Sequence, residues 1–369
     1  KVLRMNILEY KIKGISLLYL ILTIFALTVY ITGLFPETTV DSAKYAAISR
    51  EIYENGDFIH LKIHGEPYMQ KPPLLFWLGA VFFKIFGVSI FVFKLPNLLF
   101  TFLGIYSTYR LGLLIHDRQT GIIAAVIYGA SEVLFLYNMD VHTDALLTSN
   151  IIFGTWQLAK YLDKRKPWNF ILGFTGVGLA MISKGLIGLA VPVIAVGGFL
   201  IMKRDFRTMF SLRWLAGLPI LLIILYPILK GSYDQFGIDS LKFYFWSNNI
   251  DRIRGAYTSG GPDYFFFIHS FAYIFVPWSL YTYTAFVRDF RIWRGNGFLT
   301  KNPKTAYCYS VIIILAIIMS ISSQQSPHYL LPVMPFASII TARLINDVSF
   351  TDLYPKTFKL MLIFRNILV

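Results

Sequence analysis

Asp41 and Lys71 lie near the two ends of a polar segment, residues 35–73, wedged between strongly apolar runs. A carboxylate held at the mouth of a cavity can act as a general base toward a hydroxyl. A lysine can hold one phosphate oxygen as a point charge. Together these are the groups needed to move something off a phosphate carrier at a membrane surface. Lys71 precedes Pro72 and Pro73, which disfavour helix at Lys71 and start the next one, so its ammonium is presented at a fixed place. Asp41 opens a predicted helix over 42–55, where Asp is a good N-cap; cap and base are compatible roles. Tyr45, Ile48 and Ile52 recur at helical spacing, which predicts an apolar stripe lying on the bilayer interface.

Further ionisable groups fall at predicted span ends. Asp144 follows Thr143 at the start of one apolar run, and Lys184 sits in a Ser183-Lys184-Gly185 corner between two others. Each reads as an N-cap or a snorkelled end, or as a functional group facing the bundle. Arg252 and Arg254, in the second long polar segment at 231–263, read as solvated loop arginines or as a phosphate clamp. His328 and Tyr329 open a late span, and a lone histidine there reads readily as structural. No GxxxxGK[ST], HExxH or CxxC occurs in the chain, so neither nucleotide hydrolysis nor a structural zinc is suggested. The single cysteine, Cys308, excludes an internal disulfide.

The elements that position these groups follow from composition. Of 369 residues 56% are hydrophobic and 15% charged, and the mean hydropathy is +0.59. A soluble domain of this size could not hide that much apolar surface, so the chain reads as an all-α polytopic membrane protein. The first apolar run, 15–34, follows basic residues but is too long for a signal core, and reads as an anchor. Leu74–Phe86 is short for a span and contains Lys84. If it crossed, the basic clusters at 160–166 and 203–207 would lie outside, against the positive-inside rule. It is therefore predicted to be a juxtamembrane or re-entrant helix. Nine further spans are predicted, near 91–115, 120–138, 145–162, 168–183, 185–202, 213–230, 264–287, 304–322 and 328–345. Both ends are then cytoplasmic, and the two long polar segments share the outer face, where they can close over one site. The net charge of +14 sits in short clusters between spans, as topology signals do, and gives no reason to expect nucleic acid. The predicted organisation is a transmembrane domain over 1–345, with external loops near 35–90 and 231–263 forming the working face. Residues 346–369 read as a cytoplasmic segment and the start of a further apolar run, as in a truncated chain.

Several segments, in order, resemble the ArnT and protein-mannosyltransferase group of GT-C glycosyltransferases. They are DSAKYAAISREIYENGDF, then HGEPYMQKPPLLFWLGAVFFKIFGVSIFVFKLPNLLF, HTDALLT, MISKGLIGLAVP, NIDRIRG with GGPDYFFFIHSFAYIFVPWSL, and SSQQSPHYLLPVMPFA. The resemblance covers about 15–345, and its first block is the most specific. It implies a GT-C-type helix bundle with outward-facing juxtamembrane helices in the first loop. It also implies an inverting transfer of a sugar from a polyprenyl-phosphate donor on the outer side of the bacterial cytoplasmic membrane. The acceptor would be lipid A, another glycan or a protein hydroxyl. By position, Asp41 matches the family's catalytic aspartate and Lys71 the lysine that holds the donor phosphate. Asp144, Lys184, Arg252 and Tyr329 match polar positions around the cavity.

The departures from the family pattern are informative. Ser42 stands where many relatives carry glutamate, and Gln70 replaces the glutamate of the EKPP motif. Asn249 stands where some relatives have histidine. Gln70 and Asn249 fall at positions that resemble metal ligands in one branch, and amides at both disfavour a bound divalent ion. No cofactor is expected. The charge of the leaving phosphate would then be met by Lys71, Lys184 and an arginine, Arg252 or Arg254. Two rival readings stand beside this one: a secondary transporter, which midplane ionisable groups and inverted repeats would favour, and a non-catalytic relative that binds the lipid-linked sugar.

Overall fold

The computed structural model describes residue 21 and residues 24–251, 262–296 and 302–350. Among these the chain is overwhelmingly helical. A first helix, α1, covers 24–32, and residues 33–73 then hold the polar segment. Within it, α2 runs Val40–Asn55 and ends on Gly56 in the left-handed region. A two-residue hairpin follows, with Lys62–Ile63 paired antiparallel to Glu66–Pro67. Its turn residues His64 and Gly65 both have positive φ, as a tight hairpin loop requires. The chain then reaches Lys71 and enters α3, Leu74–Phe86, the short helix that the charge pattern predicts.

The apolar stripe of α2 does not lie on the bilayer. Tyr45, Ile48 and Ile52 are all buried, with the Tyr45 ring 5.6 Å from that of Phe76 on α3. The two helices can approach this closely because Gly79 has no side chain: a Cβ there would stand 2.5 Å from Ser49 Oγ. Burial against α3 removes these large side chains from both water and lipid.

The bundle is built from α4 (Ile90–Ile115), α5 (Arg118–Gly129), α6 (Glu132–Met139), α7 (Thr143–Lys164), α8 (Pro167–Lys184) and α9 (Ile187–Met202). After α9 come the short α10 (Phe206–Met209), α11 (Leu218–Phe236) and α12 (Ile238–Lys242). These are followed by α13 (Phe266–Ile274), α14 (Trp278–Asn296), α15 (Ala306–Ile321) and α16 (Met334–Phe350). Four stretches among the described residues are long and apolar enough to cross a membrane: Ile90–Ile115, Phe206–Phe236, Pro303–Ile321 and Pro327–Asp347. The predicted span 120–138 is instead the α5–α6 pair, bent by 49°. The predicted span 264–287 is also broken, between α13 and α14 at 275–277. Pro277 there has no N–H to continue a helix. Helices α7 and α8 stand where spans are predicted, but they carry Asp144, Gln157, Asn169 and Lys184, and they lie in the middle of the bundle.

Candidate active site

Four of the sequence candidates line one cavity of about 300 Å³: Lys71, Asp144, Lys184 and Tyr329. Lys71 comes from the turn before α3, Asp144 from the first turn of α7, and Lys184 from the end of α8. The polar end of the cavity is thus assembled from sites more than 250 positions apart in sequence (71 to 329).

Lys184 is aimed by its corner. Gly185 caps α8 with φ +83° and ψ −150°, a region that is essentially glycine-only. The ammonium Nζ donates to Asp144 Oδ1 at 2.5 Å and lies 5.0 Å from the centre of the Tyr329 ring. Asp144 is not an N-cap. The cap position is His142, whose side chain does not cap, and Asp144 is spent on Lys184.

His328 lies behind Tyr329 and is not part of the cavity lining. Its Nδ1 and Ser326 Oγ are 2.7 Å apart. Ring contacts continue from it: Tyr329 to His328 (4.6 Å), His328 to Tyr137 (5.6 Å), Tyr137 to His142 (4.9 Å), and His142 to Tyr45 (6.5 Å). A continuous chain of edge-on and tilted ring contacts therefore joins the cavity to α2. Sequence reading singled out neither Tyr137 nor His142. The only signal was the Asp140-Val141-His142-Thr143-Asp144 run at a span end.

Asp140 fixes the start of α2. Its Oδ1 accepts the Thr39 N–H at 3.0 Å and its Oδ2 the Thr39 hydroxyl at 2.6 Å, while His142 Nε2 lies 3.0 Å away. Burial pushes the Asp140 pKa up, but the Thr39 and His142 contacts outweigh it, and the net shift is downward.

Asp41 does not cap α2 either. Thr39 holds that position and Asp41 falls in the first turn, where the helix dipole favours an anion. Asp41 is exposed and does not line the cavity. Its charge is felt by two buried tyrosines. Burial, then Asp41, Asp144 and Asp140, hold the Tyr45 phenol well above its usual pKa, and Asp41 acts on Tyr68 in the same sense after burial and Tyr45.

Gln70 is engaged by a cation. Its Oε1 accepts from Lys44 Nζ at 3.0 Å, and that ammonium lies 5.1 Å from the Tyr68 ring centre. An ammonium on the one oxygen Gln70 could offer repels a divalent ion, so Gln70 does not fit a metal position. Ser42 is fully buried. Arg252 and Arg254 lie outside the described residues, as does the side chain of Asn249.

The two polar segments meet over this region. Gly231 lies so close to the first that a Cβ there would stand 2.0 Å from Ile59 O. Gln235 donates to Leu61 O at 3.0 Å, and Tyr244 OH donates to Met181 O at 2.9 Å. Ser322 and Gln324 also line the cavity, and its other residues are apolar. Ile187 and Ala190 of α9 and Leu315, Ile318 and Met319 of α15 form a wall. Ile318 is 40% exposed, so the cavity reaches the flank of the bundle.

Residues 70–230 match the family model for dolichyl-phosphate-mannose-protein mannosyltransferase. An undecaprenyl phosphate-alpha-4-amino-4-deoxy-L-arabinose arabinosyl transferase of Yersinia enterocolitica is 24% identical over 314 residues, 84% of this chain and 55% of the relative. A second enzyme of that name, from Proteus mirabilis, is 24% identical over 328 residues, 86% of this chain and 58% of the relative. The chain thus spans little more than half the length of these relatives. The crystal structure of ArnT from Cupriavidus metallidurans bound to undecaprenyl phosphate superposes with a TM-score of 0.80 at 20% identity, covering 95% of this chain and 63% of that one. The Archaeoglobus fulgidus oligosaccharyltransferase gives a TM-score of 0.60 at 14% identity, covering 89% of this chain and 50% of that one. The chain is a multi-pass membrane protein with the GT-C fold, similar in sequence to the ArnT and dolichyl-phosphate-mannose-protein mannosyltransferase group.

Proposed function

We propose that the chain is the transmembrane catalytic part of an inverting glycosyltransferase that takes a sugar from a polyprenyl-phosphate carrier. The observation that carries this reading is the division of the cavity. Its polar end holds Lys71 and the Lys184–Asp144 pair, and its wall of Ile187, Ala190, Leu315, Ile318 and Met319 is apolar and opens on the flank. Such a space suits a phosphate headgroup with an isoprenoid chain running into lipid. The Yersinia and Proteus relatives, named as undecaprenyl phosphate-aminoarabinose arabinosyl transferases, support the same donor class.

In this reading the acceptor oxygen attacks the anomeric carbon from the face opposite the phosphate. The new glycosidic bond forms as the bond from carbon to phosphate oxygen breaks, and polyprenyl phosphate leaves. Lys71, with Arg252 or Arg254, stabilises the charge that develops on that phosphate. Asp41 takes the proton of a hydroxyl acceptor. A phosphate acceptor such as that of lipid A is already anionic, and Asp41 would then orient it. The acceptor classes are lipid A, another glycan or a protein hydroxyl. In this reading the site faces outward from the bacterial cytoplasmic membrane, which the positive-inside asymmetry supports, and residues 1–345 form the unit that carries it.

One observation favours a second reading, donor binding without transfer. Asp41 stands outside the cavity lining, and its neighbour Ser42 carries no charge. Incubation of the purified protein with radiolabelled polyprenyl-phosphate sugar and membrane acceptors separates the two. Labelled product supports transfer. Saturable donor binding with no product supports the second reading, and absence of both removes the proposal.

A further inference from the structure

A second cavity, of about 330 Å³, lies at the other end of α7 and contains three arginines, Arg165, Arg207 and Arg213. From Asp144 to Arg165 the chain climbs α7 for its whole length, about 30 Å at 1.5 Å per residue. The cavity therefore sits on the opposite membrane face from the Lys71 site. Its walls are the end of α7 and the segment 207–214 between α9 and α11.

The local chemistry is that of an anion site. Thr208 and Ser211 place hydroxyls beside the arginines. Arg165 Nη2 donates to Thr208 Oγ1 at 3.4 Å, and its guanidinium lies 5.6 Å from the Tyr161 ring centre. The Trp214 indole N–H donates to Thr208 O at 2.9 Å and closes the segment into a turn. Among the described residues no carboxylate lines the cavity. The nearby acids are engaged elsewhere: Asp163 with Lys304 at 3.2 Å, and Asp205 with the Thr208 N–H at 3.1 Å and Lys203 at 3.6 Å. None of the three guanidiniums makes an ion pair among the described residues.

The same segment presents an apolar outer side. Phe206, Phe210, Leu212 and Leu215 alternate with the arginines and are exposed, Phe210 by 76% and Leu212 by 81%. Basic groups in a cavity beneath an exposed apolar rim are the pattern of a segment lying in the headgroup layer. A soluble phosphate has no use for that rim, whereas the acyl chains of a lipid do.

We infer that this cavity is a headgroup site for an anionic phospholipid of the leaflet opposite the active site, with the lipid phosphate held by Arg165, Arg207 and Arg213. Planar guanidiniums match phosphate oxygens two at a time, and basic pockets between helices recognise such headgroups. The inference does not depend on the donor proposed above.

Native mass spectrometry of the full chain, released from detergent with phosphatidylglycerol or phosphatidylcholine present, tests it. The unmodified protein retains phosphatidylglycerol and not phosphatidylcholine. The Arg207→Gln/Arg213→Gln variant loses retention roughly tenfold. Lys164→Gln/Lys166→Gln removes as much charge from the same end without touching the cavity lining, and retains the lipid. Equal loss in both variants would mean general attraction and overturn the site. Retention of phosphatidylcholine, or displacement by excess inorganic phosphate, would overturn the lipid assignment. Arg207→Lys and Arg213→Lys keep the charge but lose the fork, so they carry the test with a partial loss if the double variant fails to fold.

Discussion

Lys184 Nζ and Asp144 Oδ1 are 2.5 Å apart across 40 residues of sequence, with side-chain exposures of 16% and 5%. The pair ties the end of α8 to the start of α7 at the polar end of the cavity. It also sets the balance of charge at that end of the cavity.

Breaking that pair from one side leaves a buried charge alone. Asp144→Asn should therefore lower stability by about 3 kcal/mol or more, and the double variant Asp144→Asn/Lys184→Met should recover part of the loss. Thermal unfolding in detergent over the four proteins of this cycle measures the coupling. Additive losses would mean that the pair is not coupled as described.

Gly185 holds Lys184 in place through a conformation that side-chain-bearing residues avoid. Gly185→Ala should cost about 1 to 3 kcal/mol and weaken donor binding by moving the ammonium. Melting temperature and donor titration read the two effects separately. An unchanged melting temperature would contradict the backbone argument.

Asp140 makes the stability of the α2 start pH-dependent. Its folded pKa is depressed below the ordinary value of 3.8. Its contribution is therefore complete above the unfolded value and disappears as pH falls through the folded one. Asp140→Asn should lose about 1.5 kcal/mol at neutral pH, and the gap to the unmodified protein should close in strong acid. Melting curves followed from neutral pH down through the depressed folded pKa, well below 3.8, check this, and a gap that persists at the acid end would refute the assignment.

Asp41→Asn probes the base. With a hydroxyl acceptor, kcat should fall by about two to four orders of magnitude while donor affinity stays within a few-fold. Undiminished turnover would remove Asp41 as base and leave only an orienting role.

Much of the site was legible in the sequence because it is local chemistry repeated in order. The Lys71-Pro72-Pro73 turn, the Lys184-Gly185 corner and the short α3 all follow from proline, glycine and charge placement. What was not legible depends on tertiary contact. The stripe of α2 could face lipid or protein, and only the Ser49–Gly79 crossing decides for protein. Asp41 and Asp144 both have the residue type of a cap, yet neither caps its helix: Thr39 holds the cap position of α2, and Lys184 claims Asp144. The chain of ring contacts through Tyr137 and His142 joins residues that share no sequence pattern, so periodicity cannot reveal it. The break at 275–277 was hidden inside an apolar run long enough to read as one span.

The most direct test of the central claim is a structure of the chain with polyprenyl phosphate bound. The phosphate should lie within hydrogen-bond reach of Lys71 Nζ, with the isoprenoid chain running between Ile187–Ala190 and Leu315–Met319. Lipid phosphate bound only at the Arg165, Arg207 and Arg213 cavity, with no ligand beside Lys71, would contradict it.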